Sequence, residues 1–168
     1  MRRKITIITM ISLSLLALGL LSQVTPSGYT RIELTEEGRG EKILSVVAPD
    51  GEPVTLTWRN SQFGYQVTEV FYARGGLIIQ DQVTFSEPGG PPPPRVSVAD
   101  VADLYHTGAT FDARGLSRPF SRIVYRIGEI GNPQIRVKNK TAALKKAAGF
   151  GGRVILTTAK PKIYEFMF

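Results

Sequence analysis

Residues 54–85 contain three runs in which apolar and polar side chains alternate, and these runs define the expected architecture. A period of two sends successive side chains to opposite faces of a strand, so one face can be buried while the other meets water. Gly75 and Gly76 separate the second run from the third, and two glycines at such a point are typical of a tight hairpin. We therefore predict an antiparallel meander of three strands. The predicted buried face of the third strand comprises Leu77, Ile79, Val83 and Phe85.

Shorter runs with the same alternation predict further strands elsewhere in the chain. They lie at residues 31–35, 42–48, 121–127, 134–138, 154–158 and 163–168. A turn rich in glycine separates residues 121–127 from residues 134–138, and we expect these two strands to pair as a hairpin. The strands outnumber the predicted helices, which indicates an all-antiparallel, mostly β fold.

Two short helices interrupt this pattern. The first follows Ser97, a residue type that caps helix N-termini, and is predicted to end near Gly108. The second is predicted to be capped by Asn139 and to stop at Gly149. Between the meander and the first helix, residues 86–94 end in four consecutive prolines. Proline has no N–H to donate, so we expect a stiff surface loop with polyproline II geometry there.

The N-terminus carries a membrane or secretion signal. Arg2, Arg3 and Lys4 precede an uncharged apolar run at residues 5–21, the pattern of a signal peptide or an uncleaved anchor. We expect three parts: a signal peptide or membrane anchor at 1–22, a linker at 23–29 and an extracytoplasmic β domain at 30–168. The fold expected for the domain is an antiparallel β-sandwich or open barrel with one or two short helices, preceded by an N-terminal hydrophobic helix. The protein is then anchored to, or secreted across, the cytoplasmic membrane.

Composition narrows the chemistry. The chain has no cysteine and one histidine, so cysteine nucleophiles and metal sites rich in cysteine or histidine are not expected, and we predict no cofactor. The net charge is +7, but its distribution is uneven: residues 25–113 contain 6 basic and 12 acidic residues, whereas residues 114–168 contain 12 basic and 2 acidic ones. The basic half could face an anionic partner, but its aromatic residues do not interleave with the charges as in a single-strand binding surface. We expect the two halves to pair within one fold, and no nucleic-acid partner.

The order of these features resembles that of a known family. An aromatic strand ends in a polar turn at residues 58–62, the next strand bears Glu69, and an apolar strand follows at Leu77. A loop rich in glycine and proline comes next, and then a strand that ends in Arg126, Ile127 and Gly128. This arrangement is similar to the small extracytoplasmic domain-of-unknown-function family 1850, over most of residues 30–160.

The resemblance implies an accessory protein of TRAP-type transporters with TAXI-type solute receptors, and therefore transporter subunits as partners. Ser61 and Glu69 match the serine and glutamate of the family's turn and following strand. Asn60 stands where the family usually has histidine, so the one group that would titrate near neutral pH there is replaced. If that histidine has a function in the family, the substitution puts it in doubt in this chain.

The candidate binding residues are Asn60, Ser61, Glu69, Asp81 and Arg126. In a binding site, the asparagine and serine would donate hydrogen bonds while the glutamate and arginine orient a small polar solute. The alternative is structural: asparagine and serine commonly fill turns by bonding the local backbone, and Glu69 could pair with a basic neighbour across the sheet. Asp81 falls on the apolar side of its strand and is expected to be at an exposed edge or held by an arginine, because a buried carboxylate needs a partner.

Two further functions remain open from the sequence. A serine hydrolase could be built from Ser61, His106 and Asp112, although no glycine pattern of a nucleophile elbow surrounds the serine. A cell-envelope structural protein would need no site at all. We expect a non-enzymatic accessory or binding module, with a small polar solute, a transporter and the membrane as partners.

Overall fold

The computed structural model describes residues 25–166. Within this range the chain is mostly β, with two antiparallel sheets that do not close into a barrel and two short helices, α1 (Val101–Thr107) and α2 (Leu144–Ala148). This confirms the predicted mostly β class. The strands are β1 (Tyr29–Glu36), β2 (Lys42–Pro49), β3 (Pro53–Arg59), β4 (Gln66–Arg74), β5 (Leu77–Ser86), β6 (Phe111–Phe120), β7 (Arg122–Arg126), β8 (Gln134–Val137), β9 (Lys140–Ala143) and β10 (Arg153–Ala159).

The smaller sheet has the order β2-β1-β10-β7 and the larger one the order β6-β5-β4-β3-β8-β9. The predicted meander is the centre of the larger sheet, where β3 pairs with β4 and β4 with β5. Gly75 and Gly76 form its second turn with φ of 59° and 79°. Positive φ at both central residues is the requirement of the hairpin turn that matches the strand twist, and glycine meets it without steric cost.

The main core lies between the two sheets. Each sheet contributes the apolar residues of one face, as the alternation predicted, and the polar residues of the opposite faces meet water. The larger buried side chains of this core are Ile32, Leu34, Leu56, Phe71, Ile78, Ile127, Ile135, Leu144 and Leu156.

A second, smaller core lies under α1, on the same face of the larger sheet. It comprises Val67, Val83, Phe85, Val101, Phe111, Ala113 and Leu116. The inner face of the larger sheet is therefore covered in two parts, by the smaller sheet and by this helix. Trp58 packs against both cores and marks the seam between them. The helix begins after a turn capped by Ser97 and ends at Gly108, as predicted, where a φ of 73° provides a left-handed cap.

One residue of β5 interrupts the alternation. In the pairing with β4, Gln80 and Gln82 have partners and Asp81 has none, which makes Asp81 the extra residue of a bulge. Both environments predicted for Asp81 are wrong. The strand that carries it is flanked on both sides, so it is not an edge, and Asp81 forms no ion pair with an arginine in the part of the chain described. It is partly exposed instead.

The bulge shifts the phase of the strand, so that residues an odd number apart on its two sides share a face. Ile78 is buried together with Val83 and Phe85, whereas Leu77 is exposed and Ile79 is only partly buried. The predicted buried face was therefore right after the bulge and wrong before it.

The proline segment contacts the edge of the larger sheet. The Asp112 N–H in β6 donates to the Pro94 carbonyl (2.9 Å), and the Val96 N–H donates to the Asp112 carbonyl (3.1 Å). Arg95 forms a parallel bridge with Asp112 between these two bonds. The end of the segment thus covers part of β6, while the prolines themselves form no regular element.

The hairpin predicted from residues 121–127 and 134–138 is wrong. The two strands exist, but β7 pairs with β10 in the smaller sheet, and β8 pairs with β3 and β9 in the larger one. The intervening loop therefore crosses from one sheet to the other. Pairing partners are chosen by which faces can be buried together, and the loop sequence alone carries no information on this.

Two further elements differ from prediction. Asn139 caps no helix: Lys140–Ala143 is strand β9, and α2 begins only at Leu144. Gly149 ends that helix as predicted. The last predicted strand is wrong, because Ile163–Phe166 forms a 3-10 turn. The ring of Phe166 packs edge-on against Tyr29 (5.0 Å between centroids), and Glu165 accepts a hydrogen bond from Arg31 in β1, so side chains rather than a strand ladder hold this segment.

Some charges of the two halves pair with each other. Arg153 pairs with Glu37 and Arg31 with Glu165, and each pair joins the acidic half of the chain to the basic half.

The predicted N-terminal hydrophobic helix lies outside the described residues. Among residues 25–166, no helix has the length and apolar character required to cross a bilayer.

Candidate functional site

A cavity of about 460 Å³ opens between the larger sheet and the edge strand β7 of the smaller one. Its floor is the inner face of β3 and β4, with Leu56, Trp58 and Glu69. Its wall is the edge strand β7 and the loop that follows it to β8. The loop is held in place because the Arg59 N–H at the end of β3 donates to the Gly131 carbonyl (2.7 Å). The crossing of the chain from one sheet to the other therefore builds the site.

Three of the five candidate residues line this cavity: Ser61, Glu69 and Arg126. They come from the turn after β3, from β4 and from β7. Asn60 and Asp81 do not line it. The sequence placed Glu69 and Arg126 on separate strands, and the structure brings them to one cavity because β7 lies at the edge of the opposing sheet.

Asn60 has a structural role. Its side chain is buried, and its Oδ1 accepts hydrogen bonds from the Gln62 and Phe63 N–H groups, both at 2.9 Å. The Gly64 N–H donates to the Asn60 carbonyl (2.9 Å). The turn chemistry weighed in the sequence analysis accounts for this residue completely, and its side chain bonds the backbone instead of a ligand.

Glu69 provides the carboxylate of the floor. Its Oε1 accepts a hydrogen bond from Trp58 Nε1 (3.0 Å), and its Oε2 accepts one from Gln80 Nε2 (2.6 Å). Both donors are neutral, and Glu69 forms no ion pair within residues 25–166. Burial raises the pKa of Glu69 above its ordinary value of 4.5, and the two hydrogen bonds only partly offset that rise.

The charge of this carboxylate raises the pKa of two tyrosines. Tyr125 of β7 lines the cavity, and its hydroxyl is buried without a hydrogen-bond partner among the described residues. Burial raises the pKa of Tyr125 well above its ordinary value, and the charge of Glu69 raises it further. Tyr105 of α1 lines a smaller cavity of about 190 Å³ that also contains Glu69. Burial and the same charge raise the pKa of Tyr105. The carboxylate thus lies between two cavities, one on each side of the seam.

The rim is predominantly basic. Arg59 and Arg126 are exposed, and neither forms an ion pair in the described part of the chain. The Arg59 Nε donates to the Gly64 carbonyl (3.2 Å), which holds this side chain along the turn. Glu129 is the one acidic residue of the rim. The cavity therefore has a carboxylate inside and a net positive charge at its mouth.

The geometry does not assemble the hydrolase triad. Asp112 accepts hydrogen bonds from Gln82, Thr84 and Arg114, and none of its contacts involves His106. Its strand pairs it with Thr84, on the face of the sheet opposite Phe85 and α1. Within residues 25–166 there is also no cluster of three His, Cys, Asp or Glu residues that could hold a metal ion.

Sequence reasoning missed Trp58, Gln80 and Tyr125 as site residues. Trp58 and Tyr125 read as ordinary core positions of alternating strands, and only the packing of the two sheets aligns them with Glu69. Simple alternation predicts Gln80 on the face opposite Ile79 and Val83, but the bulge at Asp81 turns it inward. A buried glutamate on the apolar face of a strand, next to a strand with tryptophan, is the signal from which this polar cluster could have been found.

Comparison with known proteins found no match to the chain among family models, curated proteins or solved structures.

Glu69→Gln should make the fold more stable at neutral pH, by on the order of 1 kcal/mol, because it removes a buried charge that lacks a cation. The glutamine can still accept from Trp58, and the amide of Gln80 can rotate to present its oxygen. The pKa of Glu69 is raised in the folded state, so below pH 4.5 its carboxyl is protonated in the folded protein and costs little stability. The advantage of the variant should therefore be small there, grow as the pH rises from 4.5 to the pKa of the folded state, and level off above that pKa.

Urea denaturation of both proteins across this pH range measures the effect. Asp81→Asn is the matched control, since it removes a partly exposed carboxylate outside the cavity. A Glu69→Gln protein that is less stable than wild type at neutral pH would contradict the prediction.

Proposed function

We propose that the domain is a non-enzymatic binding module for a small polar solute, which it holds in the cavity between the larger sheet and β7. The observation that carries this proposal is the convergence of Ser61, Glu69 and Arg126 on one open cavity. A concave site with an apolar lining and a few convergent polar groups is the usual form of a small-molecule site.

The polar groups of the cavity support binding instead of catalysis. Glu69 accepts from two fixed neutral donors, and Ser61 has neither the histidine of the chain nor a cysteine beside it. A nucleophile needs a base within hydrogen-bond reach. A solute that supplies hydrogen bonds or charge to Glu69, Tyr125 and the rim arginines needs no further group.

We also propose that the module acts outside the cytoplasmic membrane, anchored or exported by residues 1–22, as an accessory of a solute transporter. The basic start and apolar run support the location, and the resemblance to the family of unknown function described above supports the partner. The N-terminal helix and the sandwich-like packing of the sheets belong to this proposal. Purification from mildly solubilised membranes tests it: a transporter subunit should be retained at low salt, and retention of none would count against the partnership.

Solute binding should be visible as a rise in Tm of the full-length protein. A ligand at 100 times its Kd adds about 2.7 kcal/mol, which for a chain of this size raises Tm by roughly 5 to 10 °C. A panel of amino acids, organic acids, sugars and amines is the appropriate screen.

Val124→Phe should abolish the shift, because Val124 is exposed and lines the cavity. Leu77→Phe is the matched control: it places the same aromatic side chain at a similarly exposed strand position away from the cavity. If no solute of the panel shifts Tm, the binding function fails and a structural role is favoured.

A further inference from the structure

Within residues 25–166, the Glu69 carboxylate lacks the cation that several other enclosed carboxylates have. Glu33 pairs with Lys42 and Arg31, and Asp112 pairs with Arg114. Glu69 is similarly enclosed but accepts only from a tryptophan and a glutamine. An enclosed carboxylate without a counter-charge is unfavourable and is usually neutralised or paired. The larger of the two cavities beside Glu69 is open and gives a cation access to this carboxylate.

Tyr125, which lines the same cavity, carries a second unmet polar group. The Tyr125 hydroxyl is buried and has no hydrogen-bond partner within the described residues. A buried hydroxyl without a partner costs free energy comparable to a lost hydrogen bond. A primary ammonium group has three N–H donors and could donate to the Glu69 carboxylate and the Tyr125 oxygen together. The rings of Trp58 and Tyr125 also line the cavity, and aromatic faces attract ammonium groups.

The arginines at the rim of the cavity indicate the charge at the other end of the ligand. Arg59 and Arg126 present two guanidinium groups without carboxylate partners, and Glu129 balances only one of them. Guanidinium groups bind carboxylates through paired, charge-assisted hydrogen bonds. A plain cation would be repelled at this mouth, whereas a molecule with an anionic end would be drawn to it.

We propose that the ligand is a small zwitterion, whose primary ammonium group binds Glu69 and the Tyr125 hydroxyl while its carboxylate binds the arginines of the rim. This inference rests on the proposed binding function and names its substrate class. The volume of about 460 Å³ limits the ligand to a small molecule.

Four probes with one five-carbon skeleton separate the two ends: 5-aminopentanoate, pentylamine, pentanoate and 1-pentanol. Trp58 is the sole tryptophan of the chain and lines the cavity, so its fluorescence reports binding to the full-length protein directly. Isothermal titration calorimetry of the same protein gives the affinities independently. 5-Aminopentanoate should bind at least tenfold more tightly than pentylamine, and both should bind more tightly than pentanoate and 1-pentanol.

Two variants assign the ends of the ligand. Glu69→Gln should weaken the binding of 5-aminopentanoate and of pentylamine by at least tenfold. Arg126→Gln should weaken the binding of 5-aminopentanoate but strengthen that of pentylamine, because it removes a positive charge from the mouth of the cavity. Asp81→Asn should behave as the wild-type protein, since Asp81 lies outside the cavity.

The outcomes distinguish this inference from the function on which it rests. Tighter binding of pentanoate than of pentylamine, unchanged affinity in Glu69→Gln, or binding of neither amine would overturn the zwitterion assignment. The binding function would still stand if another member of the solute panel raised Tm in a manner abolished by Val124→Phe. It would fall if none did.

Discussion

Phe85→Ala should lower the free energy of unfolding by about 3 to 5 kcal/mol, the usual cost of removing a buried phenylalanine. Phe85 is 1% exposed and is the centre of the second core. Its ring stacks on Phe111 (4.9 Å between centroids) and meets Trp58 and Tyr105 edge-on at 6.4 and 5.1 Å. Alanine would leave a cavity between three aromatic rings and the sheet, because the strands cannot close around it.

Chemical denaturation of the full-length protein measures this loss. Phe150→Ala is the matched control, since Phe150 is 71% exposed and its truncation should change stability by less than about 0.5 kcal/mol. A loss below about 1 kcal/mol for Phe85→Ala would mean that α1 and the sheet are not packed as a unit. Because Trp58 forms part of the same cluster, a change of its fluorescence at native conditions should accompany the loss.

Gly152→Ala should destabilise the fold by about 2 kcal/mol or more, in the range of an overpacked site that cannot relax. A Cβ at this position would lie 2.2 Å from the Ala148 carbonyl oxygen and 2.9 Å from its carbon. These are backbone atoms of α2, so the clash is relieved only if the turn between the helix and β10 opens. That turn also accepts the Ile127 N–H on the Gly152 carbonyl (2.9 Å), and Ile127 is buried in the main core.

Gly128→Ala is the control for this prediction. A Cβ there would meet nothing within 4 Å, and the residue does not require positive φ. Its effect on the midpoint of urea denaturation should be within about 0.5 kcal/mol of zero. Equal stability of the two alanine variants would show that the turn after α2 can shift by more than an ångström at little cost.

The strands that could be predicted from sequence are those whose alternation is uninterrupted. β1 buries every second residue along its whole length, β3 and β10 do so over their first four residues, and the positions of all three agree with prediction to within a few residues. β6 was missed, because its alternation at Phe111–Arg114 is ended by Gly115 and a proline follows at position 119. Its place in the sheet depends on pairing with β5, and the sequence of β6 alone does not show that pairing.

The candidate site was predictable only in part for the same reason. Glu69 could be selected from the sequence, since it lies in the strand after the polar turn, where the family that the chain resembles has a glutamate. Its donors could not, because Gln80 faces inward only after the bulge at Asp81 shifts its strand. Tyr125 and Arg126 reach the cavity because β7 joins the other sheet. The wrong hairpin partner for β7 would have placed both residues elsewhere.

The proline segment also affects whether another molecule of the protein can add a strand to the larger sheet. An outer strand with free N–H and carbonyl groups is a template onto which another chain can add a strand, and this is a common start of aggregation. At Asp112 that template is already occupied by Pro94 and Val96. The four prolines beside this point have no N–H groups, so the occupying segment cannot pass the ladder on to a further strand. Addition of another strand is thereby blocked at this part of β6 by the same chain.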